Sequence, residues 1–427
     1  MLIKNGRVID PANGLDKTCD VLIQGDLFVE VGQIAPEKAK KATTVIDARG
    51  KMVVPGLIDM HVHFRDPGDE EEETVASGSA AAVAGGFTSV VCMPNTKPAI
   101  DNETHVEYVH RKGRQARKTH VYVMGALTKN REGVEMAEMG LMAEAGAVGF
   151  TDDGCGVQDP AVMSRVLKYA SMFGKVISQH CQDDSFAKNG VMNAGYQSTI
   201  LGLPGMDALA EEAMLWRDIQ LVKRAGTPYH MQHMSAAGSV GLIRNAKKHG
   251  LPVTCEVAPH HLLLTDENVA EYDTNYKVSP PLRGKKDVEA LQKAVAEGLV
   301  DALATDHAPH LQSEKELEFL TAPFGIASLE CALSLYIKAL IEPGIVSWSE
   351  MLKLMTANPA RIIGVDKGTL SAGKQADVTI FDPNAQYTID VNQFVSKSRN
   401  CPYNGWTVKG QVAYTIVGGE IRYQRTL

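Results

Sequence analysis

The sequence predicts a (β/α)8 barrel, to which the two ends of the chain add a small β domain. Two observations carry this prediction. Strand-like and helix-like segments alternate through the middle of the chain, and both ends are rich in short strands and turns. A chain of 427 residues usually holds one large domain with a smaller one. The predicted division places residues 1–51 and 366–427 in the β domain and residues 52–365 in the barrel.

Eight apolar runs predict the strands of the barrel. These runs are Leu57–Val62, Thr88–Met93, His120–Met124, Ala147–Thr151, Val176–His180, Pro228–His233, Pro252–Val257 and Ala302–Thr305. Segments with helical spacing lie between most of them, such as Ala76–Ala84, Met206–Arg224 and Val288–Ala296. Eight such units suit a barrel, for which ~250 residues is typical. A doubly wound open sheet is the alternative, but the first strand lacks the glycine fingerprint of a dinucleotide site.

The two ends of the chain have the same pattern of short predicted strands separated by turns. Val8-Ile9 and Val21–Ile23 near the start, and Val378–Phe381 and Val412–Val417 near the end, predict strands separated by turns. We expect one β domain built from both ends, because two separate β appendages would each have only a marginal core.

Composition and charge exclude several classes of protein. The net charge is −8 and no basic block is present, which argues against nucleic-acid binding and favours a small-molecule substrate. The seven cysteines are dispersed without a CxxC pair, as in a cytoplasmic protein with reduced thiols. Neither a signal peptide nor a run of ~20 apolar residues is evident. The sequence therefore predicts a cytoplasmic protein without a membrane segment.

Candidate metal ligands follow five of the predicted strands, where barrel enzymes form their active sites. They are His61, His63, Asp153, His180, His233 and Asp306. Side chains two residues apart on a strand share one face, so the His-Val-His run can hold one ion. A lone histidine or aspartate here is more often structural, but five strand ends supplying ligands together favour a metal centre. Nitrogen and oxygen ligands suit zinc, with manganese or cobalt as substitutes.

Longer motifs surround these ligands and identify a family. Pro55–His63 resembles the opening metal motif of the amidohydrolase superfamily. Five further segments narrow the resemblance to dihydroorotases of the bacterial long-chain type: Phe64–Gly68, Gly85–Thr88, Met93–Pro98, Thr305–His310 and Asn358–Arg361. The resemblance covers nearly the whole chain, and that family interconverts dihydroorotate and N-carbamoyl-aspartate in pyrimidine synthesis.

The resemblance implies roles for the candidate ligands. His61, His63 and Asp306 are similar to the ligands of one metal ion, and His180 and His233 to those of a second. Asp153 stands where many members of the superfamily carry a carboxylated lysine that bridges the two ions. One or two zinc ions are therefore expected, and Asp306 is the expected catalytic group that moves a proton from water to the ring nitrogen.

The resemblance also implies a substrate pocket. The expected substrate-binding residues are His63, Arg65, Asn95, Ser279, His310, Phe324 and Gly325. The Arg65 guanidinium suits a bidentate contact with the substrate carboxylate. Ser279 replaces the asparagine usual in the family, and its hydroxyl has a shorter reach. Structural roles are the alternative: a surface ion pair for Arg65, a turn for Asn95 and a solvated loop for His310.

Two other functions remain open from the sequence. An allantoinase or dihydropyrimidinase would use the same barrel and metals on a different cyclic amide. A non-catalytic scaffold for aspartate carbamoyltransferase would be expected to lack metal ligands, and all six are present. A homodimer is expected by default, and assembly with aspartate carbamoyltransferase is kept as a prediction. The acidic run Asp69–Glu73 is interpreted as a solvated face without a catalytic role.

Overall fold

The computed structural model describes residues Met1–Arg425, and it confirms the predicted barrel with its small β domain. All eight predicted barrel strands are present, with ends that differ from the prediction by two residues at most. In chain order the strands are β1 Leu2–Asp10, β2 Leu15–Gln24, β3 Leu27–Gly32, β4 Val45–Asp47, β5 Met52–Pro55, β6 Leu57–Val62, β7 Phe87–Cys92, β8 His120–Gly125, β9 Gly149–Phe150, β10 Val176–Gln179, β11 Met192–Asn193, β12 Gly205–Met206, β13 Tyr229–Met231, β14 Val253–Val257, β15 Ala302–Leu303, β16 Val378–Thr388, β17 Thr407–Val417 and β18 Glu420–Gln424.

Most of the helices lie in the connections between the barrel strands, while one precedes the barrel and four follow its last strand. They are α1 Pro36–Ala39, α2 Val75–Ala84, α3 Glu103–Ala116, α4 Met139–Glu144, α5 Pro160–Ala170, α6 Asp184–Ala187, α7 Tyr196–Leu201, α8 Leu209–Ala225, α9 Ala237–Lys248, α10 Pro259–Leu263, α11 Lys285–Ala296, α12 Gln312–Lys315, α13 Ala332–Tyr336, α14 Trp348–Leu354 and α15 Ala357–Ile363. A short π-helical turn, Ile337–Ile341, continues α13. Every described helix is too short or too polar to cross a membrane.

The barrel is a parallel sheet of eight strands in the order β6-β7-β8-β9-β10-β13-β14-β15. Beyond the last strand, the chain returns to the first. The His63 amide donates to the His307 carbonyl at 2.9 Å, and Val62 forms an isolated parallel bridge with His307. The ends of the first and last strands therefore meet at the face where the candidate ligands lie.

The small β domain is one sheet built from both ends of the chain. β5 pairs with β1 of the N-terminal part and with β16 of the C-terminal part, so it joins the two. Its own core holds the side chains of Ile3, Val8, Val53, Val378, Ile380 and Ile416, among others. Phe381 and Val412 of the same sheet pack into the barrel core, which fixes the domain against the barrel. The residue boundaries at 51 and 365 stay a prediction.

Candidate metal centre

The structure brings all six predicted ligands to one buried point at the C-terminal ends of the barrel strands. Asp153 lies at the centre, because its carboxylate contacts all four histidines. The distances are 3.4 Å to His61 Nε2, 3.6 Å to His63 Nε2, 3.7 Å to His233 Nε2 and 3.8 Å to His180 Nδ1. The Asp306 carboxylate lies 2.9 Å from His63 Nε2 and 3.5 Å from His61 Nε2.

The donor atoms form two overlapping groups that fit metal ions. The ligand atoms of His61, His63 and Asp306 lie within 4.8 Å of one another, and so do those of His61, Asp153 and His233. His61 Nε2 and Asp153 Oδ1 are buried and have no hydrogen-bond partner among residues 1–425. Buried polar atoms are rarely left without a partner, so their convergence fits the binding of a cation. Imidazole nitrogens and carboxylate oxygens suit zinc.

Hydrogen bonds to residues around the cluster orient His61 and His63. Each bond uses Nδ1, so Nε2 of each ring points to the candidate metal position. His61 Nδ1 donates to Glu256 Oε1 at 2.7 Å, and His63 Nδ1 donates to Asn95 Oδ1 at 2.8 Å. In each ring the other nitrogen, Nε2, faces the carboxylates of the cluster. Such outer partners orient metal-binding histidines and raise their basicity. Asn95 therefore supports His63 through its carbonyl oxygen, a contact that the sequence did not suggest.

Glu256 and Asp59 support the candidate ligands, and the sequence analysis did not identify either residue. Burial opposes ionisation of Glu256, but His61 and His230 outweigh it and lower its pKa to about 2. Asp59 accepts hydrogen bonds from the His61 amide and from the Thr305 amide and hydroxyl at 2.6–3.1 Å. It therefore ties the strand that carries His61 to the segment that carries Asp306. Burial raises the pKa of Asp59 to about 7.

The histidines and carboxylates of the cluster shift one another's pKa values. Burial disfavours protonated His61, yet the carboxylates of Asp153, Glu256 and Asp306 raise its pKa well above the usual value. Burial likewise opposes ionised Asp153 and Asp306, but the surrounding histidines lower the pKa of both carboxyls. Two ionised carboxylates among four imidazoles form an anionic, nitrogen-rich site for a cation.

Three site residues have strained backbone. Arg65, His233 and Asp306 lie at φ values of 50°, 29° and 48°, which non-glycine residues seldom adopt. Such strain costs about 1–3 kcal/mol per residue and persists only where surrounding contacts hold it. For Asp306, the hydrogen bonds between Asp59 and Thr305 supply part of that hold.

Arg65 and His310 lie together at the mouth of the centre. Arg65 Nε donates to the Pro309 carbonyl at 3.1 Å, and Arg65 Nη2 lies 3.3 Å from His310 Nε2. Arg65 Nη1 makes no hydrogen bond to the described part of the chain. The guanidinium is thus held from one side and can receive a carboxylate from the other.

The interpretation of Asp69–Glu73 as a solvated face is wrong for its last two residues. Glu72 is 9% exposed and Glu73 is fully buried. Glu73 accepts from the Ser396 hydroxyl and lies 3.6 Å from His307 Nε2. Glu72 lies 3.0 Å from Arg65 Nε. A run of like charges usually stays in solvent, but here the turn after Arg65 carries two carboxylates inward to cationic and polar partners.

The predicted ring-facing segment packs against the same mouth. The Phe324 carbonyl accepts from His310 Nε2 at 2.8 Å, and the Gly325 amide donates to the Lys277 carbonyl at 2.9 Å. Lys315 Nζ donates to the carbonyls of Pro323 and Gly325 at 2.9 and 3.2 Å. The segment is therefore fixed from two directions.

Gly325 cannot be enlarged without moving its neighbours. A Cβ there would lie 2.7 Å from the Ala308 carbonyl oxygen and 2.9 Å from His310 Cδ2. We expect Gly325→Ala to displace His310, to raise KM and to destabilise the fold by about 1–3 kcal/mol, as overpacking does. Steady-state kinetics and thermal unfolding measure both effects. Gly241→Ala is the control, because its Cβ meets nothing within 4 Å and its backbone is helical. An unchanged KM in Gly325→Ala would contradict the expectation.

Ser279 lies at the edge of the centre. Its hydroxyl donates to Gln182 Oε1 at 3.2 Å, and the same oxygen lies 3.5 Å from His180 Nε2. Gln182 thus connects the Ser279 hydroxyl to His180. Its role as a substrate contact stays a prediction.

Comparison with known proteins places the chain in a family. The model of the amidohydrolase family matches residues 52–422, and the chain belongs to this family. Among curated relatives, it is 46% identical over 425 residues to a dihydroorotase of Geobacter metallireducens, covering 100% of both chains. It is 48% identical to a dihydroorotase of Pelotomaculum thermopropionicum, covering 99% of this chain and 98% of the other.

Solved structures with the same fold act on related rings according to their names. The L-hydantoinase (dihydropyrimidinase) of Arthrobacter aurescens superposes with a TM-score of 0.87 at 26% identity, covering 98% of this chain and 95% of the other. The dihydropyrimidinase of Brevibacillus agri gives a TM-score of 0.85 at 25% identity, covering 98% and 94%. The sequence similarity to the dihydroorotases is much the greater of the two.

Proposed function

We propose that this chain catalyses the dihydroorotase reaction, the reversible hydrolysis of dihydroorotate to N-carbamoyl-L-aspartate in pyrimidine biosynthesis. The observation that carries the proposal is the Arg65 guanidinium, which is held by the Pro309 carbonyl and lies beside His310 at the mouth of the candidate ligand cluster, where it can receive a substrate carboxylate. The identity of 46–48% with dihydroorotases over the full chain supports the same substrate.

The proposed metal ligands are those predicted from the sequence. His61, His63 and Asp306 would hold one ion, His180 and His233 a second, and Asp153 would lie between them. Zinc suits this donor set, with manganese or cobalt as substitutes. When bound, such an ion supplies Lewis-acid activation of water and of the amide carbonyl.

Asp306 is the proposed catalytic base and acid. The neighbouring histidines keep its pKa low, so the carboxylate is ionised and ready to accept a proton from water. After the amide carbon is attacked, the same carboxyl donates that proton to the leaving ring nitrogen. In the reverse direction, it takes a proton from the carbamoyl nitrogen and returns it as water leaves.

The remaining residues orient the ring. Arg65 would hold the substrate carboxylate, with the Asn95 amide group and His310 beside it. The Phe324 and Gly325 backbone, the Ser279 hydroxyl and His63 complete the proposed pocket. A carboxylate receptor distinguishes dihydroorotate from dihydrouracil and allantoin, because these uncharged rings cannot form the charge-assisted hydrogen bonds that Arg65 offers.

The test is a substrate panel with metal control. Purified, zinc-loaded protein should reduce the ultraviolet absorbance of dihydroorotate. This turnover should stop when a chelator removes the metal and should recover when zinc is added back. Dihydrouracil and allantoin, under the same conditions, serve as the controls. Turnover of dihydrouracil or allantoin in place of dihydroorotate would overturn the proposed substrate. Turnover that does not depend on metal would overturn the proposed metal centre. No turnover with metal bound would support the scaffold alternative.

Three other features stay predictions. The homodimer, the association with aspartate carbamoyltransferase and the cytoplasmic location were predicted from the sequence alone. Sedimentation of the purified chain, alone and mixed with the carbamoyltransferase, measures the first two.

A further inference from the structure

Glu72 contacts both residues that are proposed to receive the substrate at the mouth. One oxygen, Oε2, lies 3.0 Å from Arg65 Nε and 3.5 Å from His310 Nδ1. Arg65 and His310 also contact each other at 3.3 Å. The three side chains therefore form a closed triangle of contacts.

The local backbone explains how Glu72 reaches this place. The Asp69 amide donates to the Arg65 carbonyl at 2.9 Å, and the Glu72 amide donates to the Asp69 carbonyl at 3.0 Å. These two turns fold the chain back over Arg65. Burial opposes ionisation of Glu72, but His310 and Arg65 lower its pKa. A buried carboxylate is retained only with such partners.

We propose that Glu72 is a positioning residue that holds Arg65 and His310 in the geometry needed to bind the substrate carboxylate. The inference rests on the proposed function, since it assigns that carboxylate to Arg65. Arg65 has a long, flexible side chain, and its left-handed backbone alone does not fix the guanidinium. An ion pair behind it removes that freedom before the substrate arrives, which lowers the entropic cost of binding.

A third metal site is the rival interpretation of these residues. Donor atoms of Glu72, His310 and Glu314 lie within 4.8 Å of one another. However, the Arg65 guanidinium already places a cation against the Glu72 carboxylate, and Glu314 accepts from the Leu311 amide at 3.0 Å. A second cation would be repelled by the first, so an ionic support fits the geometry better.

A purely electrostatic role makes the opposite prediction. If Glu72 only neutralised Arg65, its removal would strengthen the attraction for the substrate carboxylate and lower KM. If Glu72 positions Arg65, its removal lets the guanidinium move and raises KM. The sign of the change in KM therefore separates the two roles.

The experiment compares Glu72→Ala, Glu72→Gln and Glu72→Asp in the zinc-loaded, full-length protein. We expect the first two to raise KM for dihydroorotate about tenfold, the equivalent of one interaction with a charged group. We expect kcat to stay within about threefold of wild type, since the proton-transfer groups are unchanged. Glu72→Asp keeps the charge and should recover part of the loss. Glu71→Ala is the matched control, because Glu71 is the exposed neighbour in the same acidic run.

Three outcomes would overturn the proposal: an unchanged or lower KM in both neutral variants, an equal rise in KM in Glu71→Ala, or loss of one bound metal equivalent in Glu72→Ala. Crystal structures of Glu72→Gln give a readout that does not depend on activity. Arg65 and His310 unmoved in that structure would also overturn it. Failure of the wild-type protein to turn over dihydroorotate would instead refute the proposed function, and the crystal structures would still decide the positioning role.

Discussion

Asp306→Asn is expected to lower kcat by about 10²–10⁴, the contribution usual for a positioned general acid–base group. The amide keeps the size of the side chain but cannot take up the proton from water at neutral pH. KM should change little, because Arg65 and His310 remain in place. Steady-state kinetics in both directions of the reaction measure the effect.

Metal content must be measured in the same samples, since Asp306 is also a proposed ligand. Loss of kcat at wild-type metal content supports the catalytic role directly. A protein that keeps its metal and more than a tenth of the wild-type kcat would contradict it. A protein that loses metal and regains full activity in excess zinc would show that Asp306 acts only as a ligand.

The barrel and the clustering of the six candidate ligands were predictable because both depend on local patterns. The bounds predicted for the barrel strands are close to the observed ones. These strands are buried on both faces, and this burial makes them continuous apolar runs in the sequence. His61 and His63 are two residues apart, so their shared direction follows from strand geometry. Asp153, His180, His233 and Asp306 follow other strands, and parallel strands bring their C-terminal ends to one face.

The supporting residues were not predictable, because their partners lie far away in the sequence. Glu256 is a single acidic residue in a strand, and its contact with His61 joins positions 195 residues apart. Asp59 meets Thr305 only because the first and last strands adjoin. Glu72 lies in a run of five acidic residues, and such a charge pattern predicts that its side chain is exposed. The turn after Arg65 instead carries the Glu72 side chain into the interior, and this turn could not be predicted from the charge pattern. The left-handed backbone of Arg65 and Asp306 has no sequence signature.

Asp153→Asn is expected to lower zinc affinity by more than the ~10–100-fold that outer-shell changes cost, and to abolish most activity with it. The Asp153 carboxylate contacts all four histidines, at 3.4–3.8 Å. Its low pKa shows that the surrounding groups favour the ionised form. An amide at this position removes the charge that would lie between two cations, so the second ion should be lost first. Titration of the metal-free protein with zinc, followed by elemental analysis, measures affinity and stoichiometry.

The neighbouring Asp152 gives a matched control. Its carboxylate is also buried, but it accepts from the amides of Leu127 and Thr128 at 2.8 and 3.1 Å and contacts no ligand histidine. Asp152→Asn should therefore lower the thermal stability while zinc stoichiometry stays at the wild-type value. Equal zinc loss in both variants would mean that the fold, and not the central carboxylate, governs metal binding. Full zinc content in Asp153→Asn would mean that the four histidines and Asp306 hold the metal without a bridging charge, and the proposed arrangement of two ions around Asp153 would have to be abandoned.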